Sequence, residues 1–396
     1  MINGEINPTF SCFCNGDNNC VCKKNKTIKP EIENYSFDDA KLETLKESNN
    51  KLKISNAMRK NIKKLVFVYS QPKVGSTSLV SSIRLSCSNS YFVVHLHNEI
   101  MLSVLYGING VSINEIIYYN KIIGNEVFVI DVYRTPVERK ISLFFEDISS
   151  FHFNNTDENV LNYKLSRVFD RFNCIYGHIA NGDNFLEKYN IDCPTEFNYH
   201  QKYLLIESNG IKYIKLRLQD SNEWGKILSS ILSCNVNIVK DYETDKKCIS
   251  ALYNKFKNEY NLPANYYYEL EKCDYLKYFL SKKEREDYLA YWKSKLSSNF
   301  VGYTEKEYIL YEDISNKNRI RLDVPQFHYI DEGCICKRCA EKRLHVVNSV
   351  DKEVEKVKHV RVYNRGISVL LLSRRLLEEK RAKVINKRVI GSIFGR

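Results

Sequence analysis

Three apolar, β-branched runs, each followed by a helical pattern, constrain the fold of this chain most strongly. They are residues 65–70 (LVFVYS), 91–96 (YFVVHL) and 127–133 (VFVIDVY). Runs this short and this continuously apolar are typical of strands that are buried on both faces of a parallel sheet. Because strand and helix alternate, the sequence predicts an α/β fold, a parallel sheet flanked by helices. Residues 211–218 predict a later strand, and residues 221–232 predict a helix after it.

The length and composition are those of a folded globular protein. The chain has 396 residues, of which 43% are hydrophobic, so it can bury a large core and is too apolar to be disordered. We expect a Cys-rich polar extension (residues 1–60), an α/β domain (61–300), an irregular Cys-containing segment (301–350) and a basic helical tail (351–396). No long apolar run predicts a transmembrane segment or a signal peptide, and the expected location is therefore cytoplasmic.

The loop after the first run, which leads into a helix expected to begin at about Ser76, has the composition of a phosphate-binding loop. A glycine between a strand and a helix lets backbone N–H groups and the helix N-terminus point at an anion, and lysine and hydroxyl groups add charge-assisted hydrogen bonds. The spacing is not that of the Walker A loop, because Lys73 precedes Gly75, and this disfavours ATP or GTP hydrolysis. The candidate anion-binding residues are Lys73, Val74, Gly75, Ser76, Thr77 and Ser78.

A second candidate anion site follows the third run. Arg134 ends the strand, and Ser142 lies eight residues later, two turns into the next helix. Pro136 is suited to begin this helix, and its apolar pattern continues to residue 148. Both side chains can reach a phosphate at the carboxyl edge of the sheet, where open α/β folds bind ligands. Arginine supplies a forked donor and serine a neutral one. Arg139 is equally consistent with a nucleotide contact and with a solvated helix position.

These two segments, PKVGSTS and RTPVERKIS, resemble the cofactor-binding motifs of sulfotransferases, usually written P-K-[ST]-G-[ST]-T and R-[DN]-P-x-[DE]-R-x-x-S. Thr135 departs from the second motif, in which Asp or Asn is common. The resemblance covers residues 65–146, about a fifth of the chain. In motif style it is strongest to carbohydrate sulfotransferases of the heparan 2-O type and to sulfotransferase-like proteins associated with capsular polysaccharide.

The resemblance implies a P-loop-type, sulfotransferase-like domain that binds 3′-phosphoadenosine-5′-phosphosulfate (PAPS). The first motif would hold the 5′-phosphosulfate, and Arg134 and Ser142 would hold the 3′-phosphate. The implied reaction is in-line transfer of the sulfuryl group to a hydroxyl, expected to be that of a carbohydrate, with release of adenosine 3′,5′-bisphosphate. Lys73 is expected to stabilise the charge that grows on the bridging oxygen.

The reaction requires a general base, because the acceptor hydroxyl loses its proton as the S–O bond forms. His95 and His97 lie on one face of the second predicted strand, beside the expected cleft. Members of the sulfotransferase family that this chain resembles use a histidine or a glutamate from this region. We predict His97 as the base, assisted by His95, with Glu99 in reserve. The alternatives are structural histidines or an H-x-H metal site.

Two cysteine clusters favour structural zinc over disulfides in a chain without a secretion signal. Their spacing departs from the paired C-x2-C pattern of zinc ribbons, so reduced thiols are the alternative. The candidate zinc ligands are Cys12, Cys14, Cys20, Cys22, Cys334, Cys336 and Cys339.

The basic tail and two competing functions complete the sequence-based predictions. The last 46 residues contain 13 Lys and Arg against 5 Asp and Glu, which suits contact with a polyanionic acceptor, nucleic acid or an anionic membrane surface, or a solvated helix.

One competing function is a P-loop nucleotide or sugar kinase, for which Asp131 is the candidate Mg²⁺ ligand. The other is a non-catalytic, zinc-containing binding protein on a sulfotransferase fold.

Overall fold

A five-stranded, mostly parallel sheet forms the centre of the molecule. The computed structural model describes residues 37–153, 155–177, 180, 188–189, 191, 194–240, 248–304, 307–308, 311 and 315. The strand order is β2-β1-β3-β5-β4, in which only β4 is antiparallel to its neighbour. The strands are β1 Lys64–Tyr69, β2 Tyr91–Leu96, β3 Glu126–Tyr133, β4 Tyr203–Ser208 and β5 Ile211–Arg217.

Helices cover the sheet, and a second sheet of two short strands lies later in the chain. These strands, β6 Leu262–Pro263 and β7 Leu296–Ser297, pair in parallel. None of the helices in the described part of the chain is long and apolar enough to cross a membrane. The helices are α1 Asp39–Lys51, α2 Ile54–Arg59, α3 Ser76–Cys87, α4 Glu99–Tyr106, α5 Ile113–Ile122, α6 Pro136–Phe144, α7 Asp157–Val160, α8 Leu165–Ile175, α9 Trp224–Leu232, α10 Ser250–Glu259, α11 Ala264–Lys272, α12 Asp274–Phe279 and α13 Lys282–Lys293.

Alternation along the strands divides the core into two layers, one on each face of the sheet. Phe67 and Val129 face the larger cluster, whereas Val68 and Phe128 face the smaller one. Because both faces are buried, the strands need the continuous apolar runs seen in the sequence. The prediction of an α/β fold with a mostly parallel sheet flanked by helices is confirmed.

The strand order creates a crevice at the carboxyl edge of the sheet. From β1 the chain continues to β2, which lies on one side of the β1–β3 pair, whereas from β3 it continues to β4 and β5, which lie on the other side. The loops that follow β1 and β3 therefore leave the sheet in opposite directions. Crevices at such switch points are where open α/β folds bind ligands.

Three local features differ from the sequence-based expectations. The helix expected to continue to residue 148 ends at Phe144 and is followed by a π-helix, Ile148–His152. The antiparallel edge strand β4 was not predicted. A disulfide that was not predicted joins Cys87, at the end of α3, to Cys234, after α9. Disulfides are rare in reducing compartments, so this bond gives no support to the cytoplasmic expectation.

Candidate functional site

The loop between β1 and α3 forms a backbone cradle. Lys73 and Gly75 have positive φ angles of 66° and 87°, which turn the chain sharply into α3. No side chain caps the first turn of α3 in the described structure. The first N–H groups of a helix have no partner within the helix itself, and helix N-termini favour bound anions for this reason. Ser76 begins this helix, as the sequence predicted.

Gly75 is the position in this loop where a side chain does not fit. A Cβ atom there would lie 2.9 Å from Leu218 Cδ1 and 3.2 Å from Trp224 Cη2. Trp224 is buried and its indole N–H donates to the Arg217 carbonyl. The loop is thus pressed against the segment that joins β5 to α9, and this contact fixes the position of the cradle.

Arg134 joins the second predicted anion site to the first. It leaves β3 beside β1, and its Nη1 donates to the Lys73 carbonyl oxygen over 2.8 Å. The Arg134 guanidinium therefore lies against the backbone of the loop after β1. Ser142 is buried on α6, and no hydrogen bond between described residues joins it to Arg134. Arg139, on the same helix, is also buried.

The Lys73 ammonium group forms an ion pair that the sequence did not predict. Its Nζ lies 2.5 Å from Glu146 Oε2, and the two side chains are 11% and 26% exposed. Glu146 lies two residues after the end of α6, so the segment that begins next to Arg134 also supplies the counter-charge for Lys73. An acidic residue in the run FFED is the only sequence signal for this partner, and its position in the sequence does not identify Lys73 as its partner.

Both predicted histidines contact the loop. His95 Nε2 lies 3.1 Å from the Ser76 hydroxyl, and His97 Nδ1 lies 2.7 Å from the Ser70 carbonyl oxygen. The centroids of the two rings are 4.7 Å apart. The carboxyl end of β2 thus places two imidazoles beside the loop after β1, as expected for alternate residues of one strand.

Hydrogen bonding and burial give His97 the protonation state of a base. Because a carbonyl oxygen only accepts, Nδ1 carries the proton of the neutral ring and Nε2 keeps its lone pair. Burial lowers the pKa of His97, with a smaller contribution from Lys188 and Lys73, while the bond to Ser70 and the charge of Glu146 act in the opposite direction. Burial therefore favours the neutral ring, which is the form that can accept a proton.

His95 is held neutral more strongly. Burial, followed by the neighbouring His97 and Arg84, lowers its pKa to about 4. Its hydrogen bond orients the Ser76 hydroxyl at the start of α3. This arrangement fits an assisting role, because the ring nitrogen next to the cradle is already engaged.

Glu99 and Asp131 are placed less favourably for chemistry. The Glu99 carboxylate accepts long bonds of 3.4 Å from the Tyr69 hydroxyl and the Ile113 amide, so it ties α4 to its neighbours. Asp131 is 3% exposed, and its carboxylate lies 3.4 Å from Lys215 Nζ and 3.8 Å from Lys188 Nζ. A buried carboxylate neutralised by two lysines is not available to Mg²⁺, and the kinase hypothesis loses its candidate ligand.

Lys188 is a further residue that the sequence did not identify. Its Nζ donates to the Tyr69 carbonyl oxygen over 2.8 Å and lies 3.5 Å from the centroid of the Tyr69 ring. It thus adds positive charge at the end of β1, within electrostatic range of His97.

No protein-family model, curated protein or solved structure matches this chain. Among the described residues no three His, Cys, Asp or Glu side chains are grouped to hold a metal ion. The two cysteine clusters predicted to bind zinc, and the basic tail, lie outside the described residues.

Proposed function

We propose that this protein is a sulfotransferase that binds PAPS in the crevice between the loop after β1 and Arg134. The observation that carries the proposal is the 2.8 Å bond from Arg134 to the backbone of the phosphate loop. It brings a fixed cation to Lys73, two residues before Gly75, the N-cap of α3. A ligand with an anionic group at each end, such as PAPS, matches two adjacent anion-binding elements better than a single phosphate does.

The residues fit such a ligand. The N–H groups of Ser76 to Ser78, the hydroxyls of Ser76 and Thr77 and the Lys73 ammonium group would hold the 5′-phosphosulfate. Arg134 would hold the 3′-phosphate. Ser142 would donate to the same phosphate, which requires α6 to present its hydroxyl toward the crevice. PAPS supplies the sulfuryl group and a good leaving group, so the protein has to provide positioning, charge stabilisation and a base.

In the proposed mechanism, His97 takes the acceptor proton at Nε2. The Ser70 carbonyl holds the ring in the tautomer that keeps this lone pair. Lys73 stabilises the negative charge that grows on the oxygen bridging sulfur and phosphorus. Glu146 is proposed to position Lys73 through their ion pair. A hydroxyl compound, with carbohydrate as the expected class, would be the acceptor.

Ligand-dependent thermal stability tests the binding part of this proposal. Adenosine 3′,5′-bisphosphate should raise the melting temperature clearly more than adenosine 5′-monophosphate does, because only the former engages Arg134 as well as the loop. The Arg134→Met variant should respond equally to both nucleotides. Equal shifts with the unmodified protein would contradict the proposal. Transfer of labelled sulfate from PAPS to a panel of glycans then tests the reaction.

A further inference from the structure

Helix α4 leaves most of its apolar side chains exposed to solvent. Of its eight residues, EIMLSVLY, only Leu102 is buried. Ile100, Val104 and Leu105 are 50%, 74% and 63% exposed, and they are three of the eleven large apolar residues that are exposed in the described part of the chain. Because Met101 lies between them at helical spacing, these side chains form one continuous surface, the α4 apolar face. Contiguous apolar surface of this kind marks a binding site.

The segment that contains α4 begins and ends at the carboxyl edge of the sheet. The Glu99 carboxylate accepts from the hydroxyl of Tyr69, the last residue of β1, and from the amide of Ile113, the first residue of α5. Residues 99–113 therefore leave this edge and return to it, and α5 then leads to the opposite edge, where β3 begins. His97, the proposed base, precedes the segment by two residues. The α4 apolar face thus belongs to the same edge of the sheet as the candidate site.

The absence of charge in this segment restricts what its surface can bind. No charged residue lies between Glu99 and Glu115, although 27% of the chain is charged. Two lysines of α1 reach the segment, but Lys41 is paired with Glu115 and Lys51 with Glu47, each over 2.8 Å. A surface without charge gives an ionic partner no electrostatic gain. An uncharged apolar group matches it, because both surfaces lose contact with water when they meet.

We propose that the α4 apolar face binds an apolar part of the acceptor, and that the acceptor is an amphipathic hydroxyl compound, such as a sugar or an alcohol that carries an alkyl chain. This inference rests on the proposed sulfotransferase function. The base has to contact the acceptor hydroxyl, so the rest of the acceptor extends from His97 over the neighbouring surface. The rise from Ile100 to Leu105 is about 7.5 Å, which suits a short chain.

The reaction itself is the one already proposed. The acceptor oxygen forms a bond to sulfur, the bond from sulfur to the bridging oxygen breaks, and the acceptor proton passes to His97. Adenosine 3′,5′-bisphosphate leaves with the electron pair of the broken bond. The apolar contact adds binding energy for the acceptor and takes no part in these steps.

Two series of acceptors that differ only in chain length test the inference: alkyl β-glucosides and primary alcohols with one to eight carbons, used below the concentration at which they form micelles. The measured quantity is kcat/KM for transfer of labelled sulfate from PAPS. In the series that is used, it should rise about two- to fourfold for each added methylene group, the gain expected from partial to full burial. It should level off when the chain becomes longer than the α4 apolar face. Values that do not depend on chain length overturn the inference.

Binding of adenosine 3′,5′-bisphosphate separates the two levels of the argument. If the bisphosphate stabilises the protein and neither series accepts sulfate, the acceptor inference is wrong and the proposed cofactor site stands. If the bisphosphate does not bind, the proposed function itself fails.

Exposed residues of the same type at the opposite edge of the sheet provide matched controls. Leu85 is 72% exposed and lies in the last turn of α3, before β2 begins, so it is paired with Leu105. Ile122 is 53% exposed and ends α5, before β3 begins, so it is paired with Ile100. The pairs are Leu105→Ser with Leu85→Ser, and Ile100→Thr with Ile122→Thr.

Leu105→Ser and Ile100→Thr should each lower the ratio of kcat/KM for the hexyl over the methyl acceptor by about three- to tenfold, because apolar contact area is lost. Leu85→Ser and Ile122→Thr should leave this ratio unchanged, and the bisphosphate-induced thermal shift should be the same in all four variants. Equal ratios within the pairs overturn the inference. It is also overturned if Leu105→Ser leaves the ratio unchanged but converts a dimer to a monomer in size-exclusion chromatography, because the face is then an interface between copies of this chain.

Discussion

Replacing Gly75 by alanine should be among the most damaging single-methyl changes in this protein. The backbone there has a φ of 87°, a left-handed conformation that costs an L-residue about 1 to 2 kcal/mol. The added Cβ would also lie 2.9 Å from Leu218 Cδ1 and 3.2 Å from the Trp224 ring. The ring is 1% exposed and cannot move aside without disturbing the core. Overpacking of this kind costs a further 1 to 3 kcal/mol or so.

Gly124 offers a control that separates these two contributions. Its φ of 90° is nearly the same as that of Gly75, but a Cβ there would have no atom within 4 Å. Gly124→Ala therefore carries the backbone cost alone. Any effect of alanine on the unfolded chain is common to both variants, so the difference between them isolates the packing cost, about 1 to 3 kcal/mol.

Guanidinium unfolding followed by fluorescence and circular dichroism measures this difference. We expect a lower free energy of unfolding for Gly75→Ala than for Gly124→Ala. The thermal shift with adenosine 3′,5′-bisphosphate should also be smaller for Gly75→Ala, because Gly75 precedes the uncapped N–H groups of α3. If the two variants unfold alike and bind the nucleotide alike, the loop is not held against Trp224, and the account of the cradle is wrong.

Three other predictions concern the base, the buried ion pair and the disulfide. His97→Asn should keep a donor toward the Ser70 carbonyl but lower kcat by about 10²- to 10⁴-fold. Because burial lowers the pKa of His97 from its ordinary value of 6.5, activity of the unmodified protein should fall only below pH 6.5, where the ring gains a proton. An Asn variant with full activity would reject this base. Asp131→Asn should lower the free energy of unfolding by about 3 to 5 kcal/mol, because the fully buried Lys215 loses its carboxylate partner. A denaturation midpoint equal to that of the unmodified protein would show that the ion pair contributes little. The Cys87–Cys234 bond closes a loop of 147 residues, and the lost chain entropy of the unfolded state corresponds to about 5 kcal/mol of stabilisation. Replacing both cysteines by serine should lower the free energy of unfolding by a large part of that amount. If a thiol reagent labels both cysteines in the unreduced protein, the bond is absent.

Local sequence patterns predicted the units of the fold and the strand ends at which the candidate site lies. The apolar runs that became β1, β2 and β3 could be identified because strands buried on both faces need continuous apolar residues. The starts of α3 at Ser76 and of α6 at Pro136 followed from glycine and proline, whose backbone preferences are local properties. The shared face of His95 and His97 followed from the two-residue period of a strand.

Periodicity did not predict where regular structure breaks. The helical pattern after Pro136 continues to residue 148, yet α6 ends at Phe144 and the chain forms a π-helix from Ile148. The change places Ser149 and its neighbours around a cavity. A helical hydrophobic pattern indicates which side chains are buried, and these are buried in either helix type, so the pattern does not distinguish between the two.

The sequence by itself therefore determined the strand–helix units, the glycine loop after β1 and the presence of Arg134 and the histidine pair at strand ends. Only the tertiary structure decided that β3 lies beside β1, so that Arg134 reaches the Lys73 carbonyl, and that Glu146 is the partner of Lys73. It also decided the pairing of Cys87 with Cys234. These contacts join residues 61 or more positions apart. They depend on the order in which strands assemble around a shared core, and local propensity and periodicity carry no information about that order.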